Sequence, residues 1–181
     1  GGFVNQWRKT TVTNNNPLRS AKGSLYEGGI RIPLIIKWPG VTKSGSVTDY
    51  QTSSQDFYPT ILEIAKTEGD AEQNSNLDGT SLVPVLKNAK TKSPREVLCW
   101  HYPHYYPTTA PVSAVRQGDW KLLHFYEENS FELYNLAQDI GEQNNLAEKY
   151  PEKVKELSAK MKAWQQKMNA PMPKPNPDFN K

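Results

Sequence analysis

Apolar and polar residues change rhythm twice along this chain. From Ile32 to Trp38 the run IPLIIKW is almost continuously apolar, with Gly28-Gly29 before it and Pro39-Gly40 after it. A continuous run between turn residues predicts a strand buried on both faces of a sheet, with Pro33 tolerated near its start. Ser54 to Lys66 then takes a helical period: Phe57, Ile61, Leu62, Ile64 and Ala65 share one face, Asp56 is the expected N-cap, and Pro59 falls in the first turn. A polar loop from Thr67 to Asn76 leads to Leu77-Asp78-Gly79-Thr80-Ser81-Leu82, a turn into a short helix ending near Leu86-Lys87.

Beyond Arg95 the period falls to two. Strands are expected at Glu96 to Trp100, Val112 to Arg116, Trp120 to Tyr126 and Phe131 to Leu136, the middle two joined by a hairpin at Gln117-Gly118-Asp119. Together they predict a small antiparallel sheet of about four strands. From Pro151 to Asn169 the period returns to helical, with Val154, Leu157, Met161, Trp164 and Met168 on one stripe that would cover the sheet. The tail from Ala170 is rich in proline and expected to be extended and weakly held. The polar stretch Asn88 to Ser93 marks a boundary, giving one unit over residues 1–90 and another over 91–181.

Composition narrows the classes. With 181 residues the chain is long enough for one domain or for a piece of a larger protein, and Gly1-Gly2-Phe3, without a methionine, is what a piece would begin with. A net charge of +3 is too small and too dispersed to indicate nucleic acid. No run of 18 apolar residues is present, so no membrane-spanning helix is expected, and no signal peptide opens the chain. The single cysteine, Cys99, rules out an internal disulfide, and its place in an apolar run marks it as a small buried hydrophobe.

Two stretches could carry chemistry. In the first, Lys22 lies between Ala21 and Gly23, neither of which has the bulk to keep an anion away, and Gly28-Gly29 permits a turn closed to other residues. The plain alternative is a solvated lysine beside an ordinary turn. The second is Trp100 to Pro107, WHYPHYYP, dense in aromatic side chains and holding two of the three histidines. Pro103 makes a helical zinc pair at His101 and His104 implausible, and no third ligand is near. A packed aromatic loop with hydrogen-bonded histidines is the simpler reading. His124, Arg116 and Lys121 read as structural, the two cations as partners of sheet carboxylates.

The string PLRSAKGSLYEGGIRIPLIIKWPG resembles a signature region of the type I sulfatases, with P-L-R, K-G, Y-E-G-G-x-R-x-P and W-P-G in family order. SSQDFYPTILEIA, the Asp78-Gly79-Thr80-Ser81-Leu82 turn, AVRQGDWKLLHF and FELYNLAQDIGEQNNLAEKYPE resemble later parts of the same family, so the likeness runs from Asn16 to Trp164. It implies an α/β fold: the C-terminal part of an alkaline phosphatase-like sulfatase, with a buried strand and helices of the main sheet plus a four-stranded antiparallel subdomain packed on a C-terminal helix. It also implies hydrolysis of a sulfate ester through a formylglycine nucleophile and a calcium ion. Lys22 matches the family lysine that contacts the sulfate. Glu27-Gly28-Gly29 matches the turn that holds its loop.

The aromatic loop is then expected to line the cleft, with His101 or His104 donating to substrate hydroxyls or the leaving oxygen and Tyr105 stacking on a sugar ring. The chain holds no C-x-P-S-R or S-x-P-x-R motif from which formylglycine could be made, since Cys99 is followed by Trp100-His101-Tyr102-Pro103. The Asp-Asn metal pair of the family would fall just before Gly1. Nucleophile and calcium are thus expected from an N-terminal part, and the isolated chain is expected to be inactive, to bind no calcium at the family site, and to associate with itself or a complementary fragment through uncovered apolar surface. The expected substrate is a sulfated small molecule or glycan, and the expected location is the periplasm or outside the cell. Two other readings stay open: a phosphodiesterase or phosphonate hydrolase of the same superfamily, and a noncatalytic carbohydrate-binding module built on the aromatic loop.

Overall fold

The structure, a computed structural model of the chain, describes residues 6–7 and 10–178. The exposed loop expected over Gly1 to Asn15 lies partly outside the described residues. In chain order the elements are β1 (Gln6–Trp7), β2 (Thr10–Thr11), α1 (Glu27–Ile30), α2 (Phe57–Ala65), α3 (Ala71–Asn74), α4 (Val83–Lys87), β3 (Leu98–Tyr102), β4 (Val112–Gln117), β5 (Trp120–Phe125), β6 (Ser130–Asn135) and α5 (Pro151–Lys167). Two compact units result, Gly1–Pro33 with Val97–Lys181, and Leu34–Glu96. The second boundary falls near the one expected at residue 90, but the segment carrying Lys22 sits with the antiparallel sheet.

Period-two patterning does build that sheet. Four antiparallel strands lie in the order β3-β4-β5-β6, each pairing with the next in sequence. Gly118 and Asp119 form the two-residue loop between β4 and β5. Both faces of the sheet are apolar. On one, Val115, Leu122 and Leu133 pack under Leu157 and Met161 of α5. On the other, Val112, Ala114, Leu123, Tyr134 and Leu136 meet Leu25, Tyr26 and Ile30 from the N-terminal segment. Each fully buried aliphatic side chain there contributes about 1.5–3 kcal/mol, so the 20s segment is part of this unit's core.

Along α5 the predicted stripe holds through Leu157 and Met161, but Met168 is exposed and Gln165 is buried instead. Cys99 packs against the same cluster, and burial pushes its thiol up to about 12, so it is inert at neutral pH.

The unit Leu34–Glu96 is organised by Asp56, which is fully buried. It is not a side-chain cap for α2, as its position had indicated. Its carboxylate accepts from Ser53 N at 2.7 Å, from Thr80 N at 2.9 Å, and from the Arg95 guanidinium, whose Nη1 lies 3.1 Å away. Burial alone would raise this carboxyl; the hydrogen bonds from Arg95 and from the Thr80 and Ser53 amides outweigh it and hold it below its ordinary value. The stability it contributes is therefore complete above that value and disappears as pH falls through the depressed folded value. Arg95→Ala leaves the buried carboxylate without its cation. The expected results are a loss of about 3 kcal/mol and an acid-unfolding midpoint moved to higher pH, both measurable by circular dichroism.

One expectation fails here. Ile32 to Trp38 forms no strand: no described residue pairs with it, and Ile32 and Ile35 are 61% and 92% exposed. A strand buried on both faces needs neighbours for its N–H and C=O groups and layers above and below it, and the described residues provide neither. The apolar face of α2 is uncovered likewise, with Ile61 62% exposed. Sequence pattern recorded a burial that the described residues do not complete.

Candidate functional site

Lys22 sits on a bend whose backbone is held from several sides. Ser20 and Gly23 have φ of +64° and +86°, and the Ser24 amide donates to Ala21 O at 3.2 Å. The Gly28 amide donates to Arg19 O at 2.9 Å, closing the loop at the start of α1. A Cβ on Gly28 would lie 2.4 Å from the Arg19 and Ser20 carbonyl oxygens, so only glycine fits there. Ala21, Ser24 and Leu25 are buried while Lys22 is exposed. The main chain is thus anchored on both flanks and only the cationic side chain faces out.

Beneath the bend lies a buried ion cluster. Lys121 Nζ on β5 is 2.9 Å from Glu27 Oε1 and 2.8 Å from Glu142 Oε1, all three residues being essentially inaccessible to solvent. Glu142 Oε2 accepts from the Glu27 amide at 2.6 Å. Burial pushes the Glu142 carboxyl up, against the pull of Lys121 and the Glu27 amide. Glu142 holds this position at φ +53°, a left-handed conformation that few bulky residues adopt. Arg116 and Arg31 approach the other Glu27 oxygen at 3.9 and 3.5 Å. Lys121 and Arg116 are carboxylate partners, but their carboxylates stand on α1 and on the turn at Glu142, not on the sheet as expected.

Arg19 is committed to the same framework. Its guanidinium lies 3.8 Å over the Tyr26 ring and donates to Tyr134 Oη at 2.9 Å and Glu142 O at 2.8 Å. Tyr26 and Tyr134 both donate to Glu132 Oε2, at 2.6 and 2.8 Å. Burial and that carboxylate keep both phenols protonated well above their ordinary value.

The aromatic loop comes directly onto the lysine bend. Thr108 Oγ1 donates to Lys22 O at 2.8 Å, and the Tyr106 ring lies against Gly23, where an added Cβ would be 2.1 Å from Tyr106 Cδ1. Tyr106 and Thr109 exchange backbone hydrogen bonds at 3.0 and 2.9 Å, with Pro107 between them, so the tip is a closed turn. His104 and Tyr105 project outward from this loop, Tyr105 being 69% exposed, and the His104 ring packs edge-on to Tyr102 at 5.6 Å.

His101 is placed differently from His104. Its Nδ1 lies 2.6 Å from Ser113 Oγ and its Nε2 2.8 Å from the Pro171 carbonyl. A carbonyl only accepts, so Nε2 carries the proton; in the neutral ring Nδ1 accepts from Ser113. Ser113 Oγ also meets Tyr126 Oη at 2.8 Å and Gln165 Nε2 at 3.0 Å. Both ring nitrogens are thereby engaged within the chain, where His101 ties β3 to β4, α5 and the proline-rich tail; of the two histidines either of which was expected to donate to a substrate, His104 is the exposed one. His124 is structural too, stacked on Phe131 at 4.4 Å and bonded to Asn129.

Of the four residues proposed from sequence, Lys22, His104 and Tyr105 are exposed on two loops that touch, and His101 is half-buried with both ring nitrogens engaged. Tyr106 and Thr108 were not singled out, and no local pattern marks them, since the Thr108 contact to Lys22 spans 86 positions. Among the described residues no group of three or more His, Cys, Asp or Glu side chains could hold a metal ion. What the arrangement can do is present an exposed ammonium, carried on an anchored main chain, to an anionic group, on a bend that touches the loop bearing His104 and Tyr105.

Comparison with known proteins bears on which anion. The family described as N-sulphoglucosamine sulphohydrolase, C-terminal, matches residues 21–170. A sulfatase of Formosa agariphila is 39% identical over 94% of the chain and 32% of its own length. An N-acetylglucosamine-6-O-sulfatase of Bacteroides thetaiotaomicron is 38% identical over 75% of the chain and 25% of its own length. Among solved structures, one in complex with its substrate D-glucosamine-2-N,6-O-disulfate shares 30% identity, with a TM-score of 0.62 over 81% of this chain and 30% of that one. Ps i-CgsB in complex with k-i-k-neocarrahexaose shares 27% identity, with a TM-score of 0.68 over 83% and 32%. The chain therefore spans about a third or less of the relatives it matches.

Proposed function

Because the chain belongs to the sulfatase family, as its C-terminal portion, we propose that it forms part of a sulfuric ester hydrolase acting on a sulfated glycan, with Lys22 as the cation that meets the sulfate. The observation carrying this reading is the Lys22 bend: an exposed ammonium on a main chain anchored by buried neighbours and closed by Gly28. A sulfate ester gathers negative charge on its oxygens and on the leaving alkoxide as it is hydrolysed, and a fixed ammonium stabilises that charge without reorganising. His104 and Tyr105 would contact the sugar, the imidazole by hydrogen bonding and the phenol ring by stacking.

The choice of a glycan is supported by relatives named for amino-sugar and oligosaccharide substrates. Calcium and the formylglycine nucleophile would both come from the part of the enzyme N-terminal to this chain, where a hard cation and an aldehyde hydrate supply charge neutralisation and attack. The uncovered faces of Ile32 to Trp38 and α2 are where that part would pack, and without it the chain would associate with itself. By the habit of the family, the enzyme would work in the periplasm or outside the cell.

The test is release of inorganic sulfate. The full-length enzyme is expected to liberate it from sulfated amino sugars or galactans, whereas the isolated 181-residue chain liberates none and shows no calcium binding by calorimetry. Cleavage of phosphodiesters to phosphomonoesters, in preference to sulfate release, would overturn the assignment, as would turnover by the isolated chain.

A further inference from the structure

The contact between the aromatic loop and the lysine bend goes beyond the reaction itself. Tyr106 covers Gly23 so closely that a Cβ there would meet Cδ1, Cε1 and Cγ at 2.1, 2.4 and 2.9 Å, and Thr108 Oγ1 holds the carbonyl of Lys22 itself. Gly23 at φ +86° is the most freely rotating link next to the lysine. The Tyr106 ring closes off that freedom, and the Thr108 bond fixes the plane of the Lys22–Gly23 peptide itself. The turn that carries both is itself closed by the reciprocal Tyr106 and Thr109 bonds.

We propose that Tyr106 and Thr108 are positioning residues for Lys22, and that the loop presenting His104 and Tyr105 to a sugar thereby also sets where the ammonium stands. Sugar recognition and charge stabilisation would then be coupled through one rigid turn, so that changes in the loop alter turnover as well as affinity. The inference rests on the role of Lys22 given above. It adds two residues whose effect is transmitted through the lysine main chain, with no contact of their own to the substrate.

The experiment uses the full-length enzyme and a small aryl sulfate, which makes little use of sugar contacts. Tyr106→Ala is expected to lower kcat by roughly 10- to 100-fold, the loss a misplacement of about 1 Å produces, with KM changed by less than about threefold. Tyr106→Phe keeps the ring face and restores kcat. In a Lys22→Ala background, Tyr106→Ala has no further effect on kcat, because the group it positions is gone.

If Tyr106→Ala is poorly folded, Thr108→Val decides instead: it removes one hydrogen bond and is expected to lower kcat by about 3- to 10-fold at unchanged melting temperature. Full kcat in Thr108→Val and Tyr106→Ala, or equal losses with and without Lys22, would overturn the inference while leaving the role of Lys22 intact. Unchanged turnover in Lys22→Ala alone would instead remove the reading on which it rests.

Discussion

In the full-length enzyme, Lys22→Ala lowers kcat/KM for sulfate ester hydrolysis by roughly 10²- to 10³-fold, about 3–4 kcal/mol, the loss expected when one preorganised donor to a developing negative charge is removed. The melting temperature stays where it was, because the side chain is exposed and its main-chain contacts are kept by alanine. Lys22→Arg does not restore the rate: a broad, planar guanidinium that spreads its charge over three nitrogens cannot put a compact charge at the same point. Steady-state kinetics on the three proteins, with melting curves alongside, check all of this. A loss under about threefold in the alanine variant would leave the bend without a chemical role.

The parts of this chain that sequence reveals are those whose partners are close in sequence. Strands β4 and β5 are legible because their alternation and the Gly118-Asp119 loop are local, and α5 because Val154, Leu157 and Met161 recur at helical spacing within one element. Lys22 emerged from a local motif as well. Asp56 does stand at the N-cap of α2, but what its carboxylate binds could not be read locally, because its guanidinium partner is Arg95, 39 positions away.

The partners of His101 were hidden for a related reason. In sequence it is one of two histidines in an aromatic loop, but its two nitrogens are taken by Ser113 and by Pro171, 70 positions on. The Ile32 to Trp38 run shows the opposite failure: its pattern is faithful to burial, and the burying layers are not among the described residues. Burial on both faces can be read from one strand; the identity of what covers it cannot.

The ion cluster beneath the bend gives the second large effect. Lys121→Met is expected to destabilise the sheet unit by about 3–5 kcal/mol, because Glu27 and Glu142 would remain as two buried carboxylates 2.9 and 2.8 Å from where their common cation had been. Like charges so placed cannot both stay ionised, so at least one takes up a proton. Glu142, already pushed up by burial, is the one expected to do so. Its folded value then rises further above that of the unfolded chain, and the variant recovers stability as pH is lowered towards that value, the reverse of the Asp56 behaviour.

The cluster joins α1 to β5 and to the turn at Glu142, and α1 closes the Lys22 bend. The same substitution should therefore lower turnover at temperatures well below unfolding, by letting the bend move. Thermal melting at several pH values, with a drop on the order of 10 °C at neutral pH that narrows under mild acid, is the expected pattern. An unchanged melting temperature would mean that the two carboxylates are neutralised or solvated without Lys121, and the account of how the bend is held would fall.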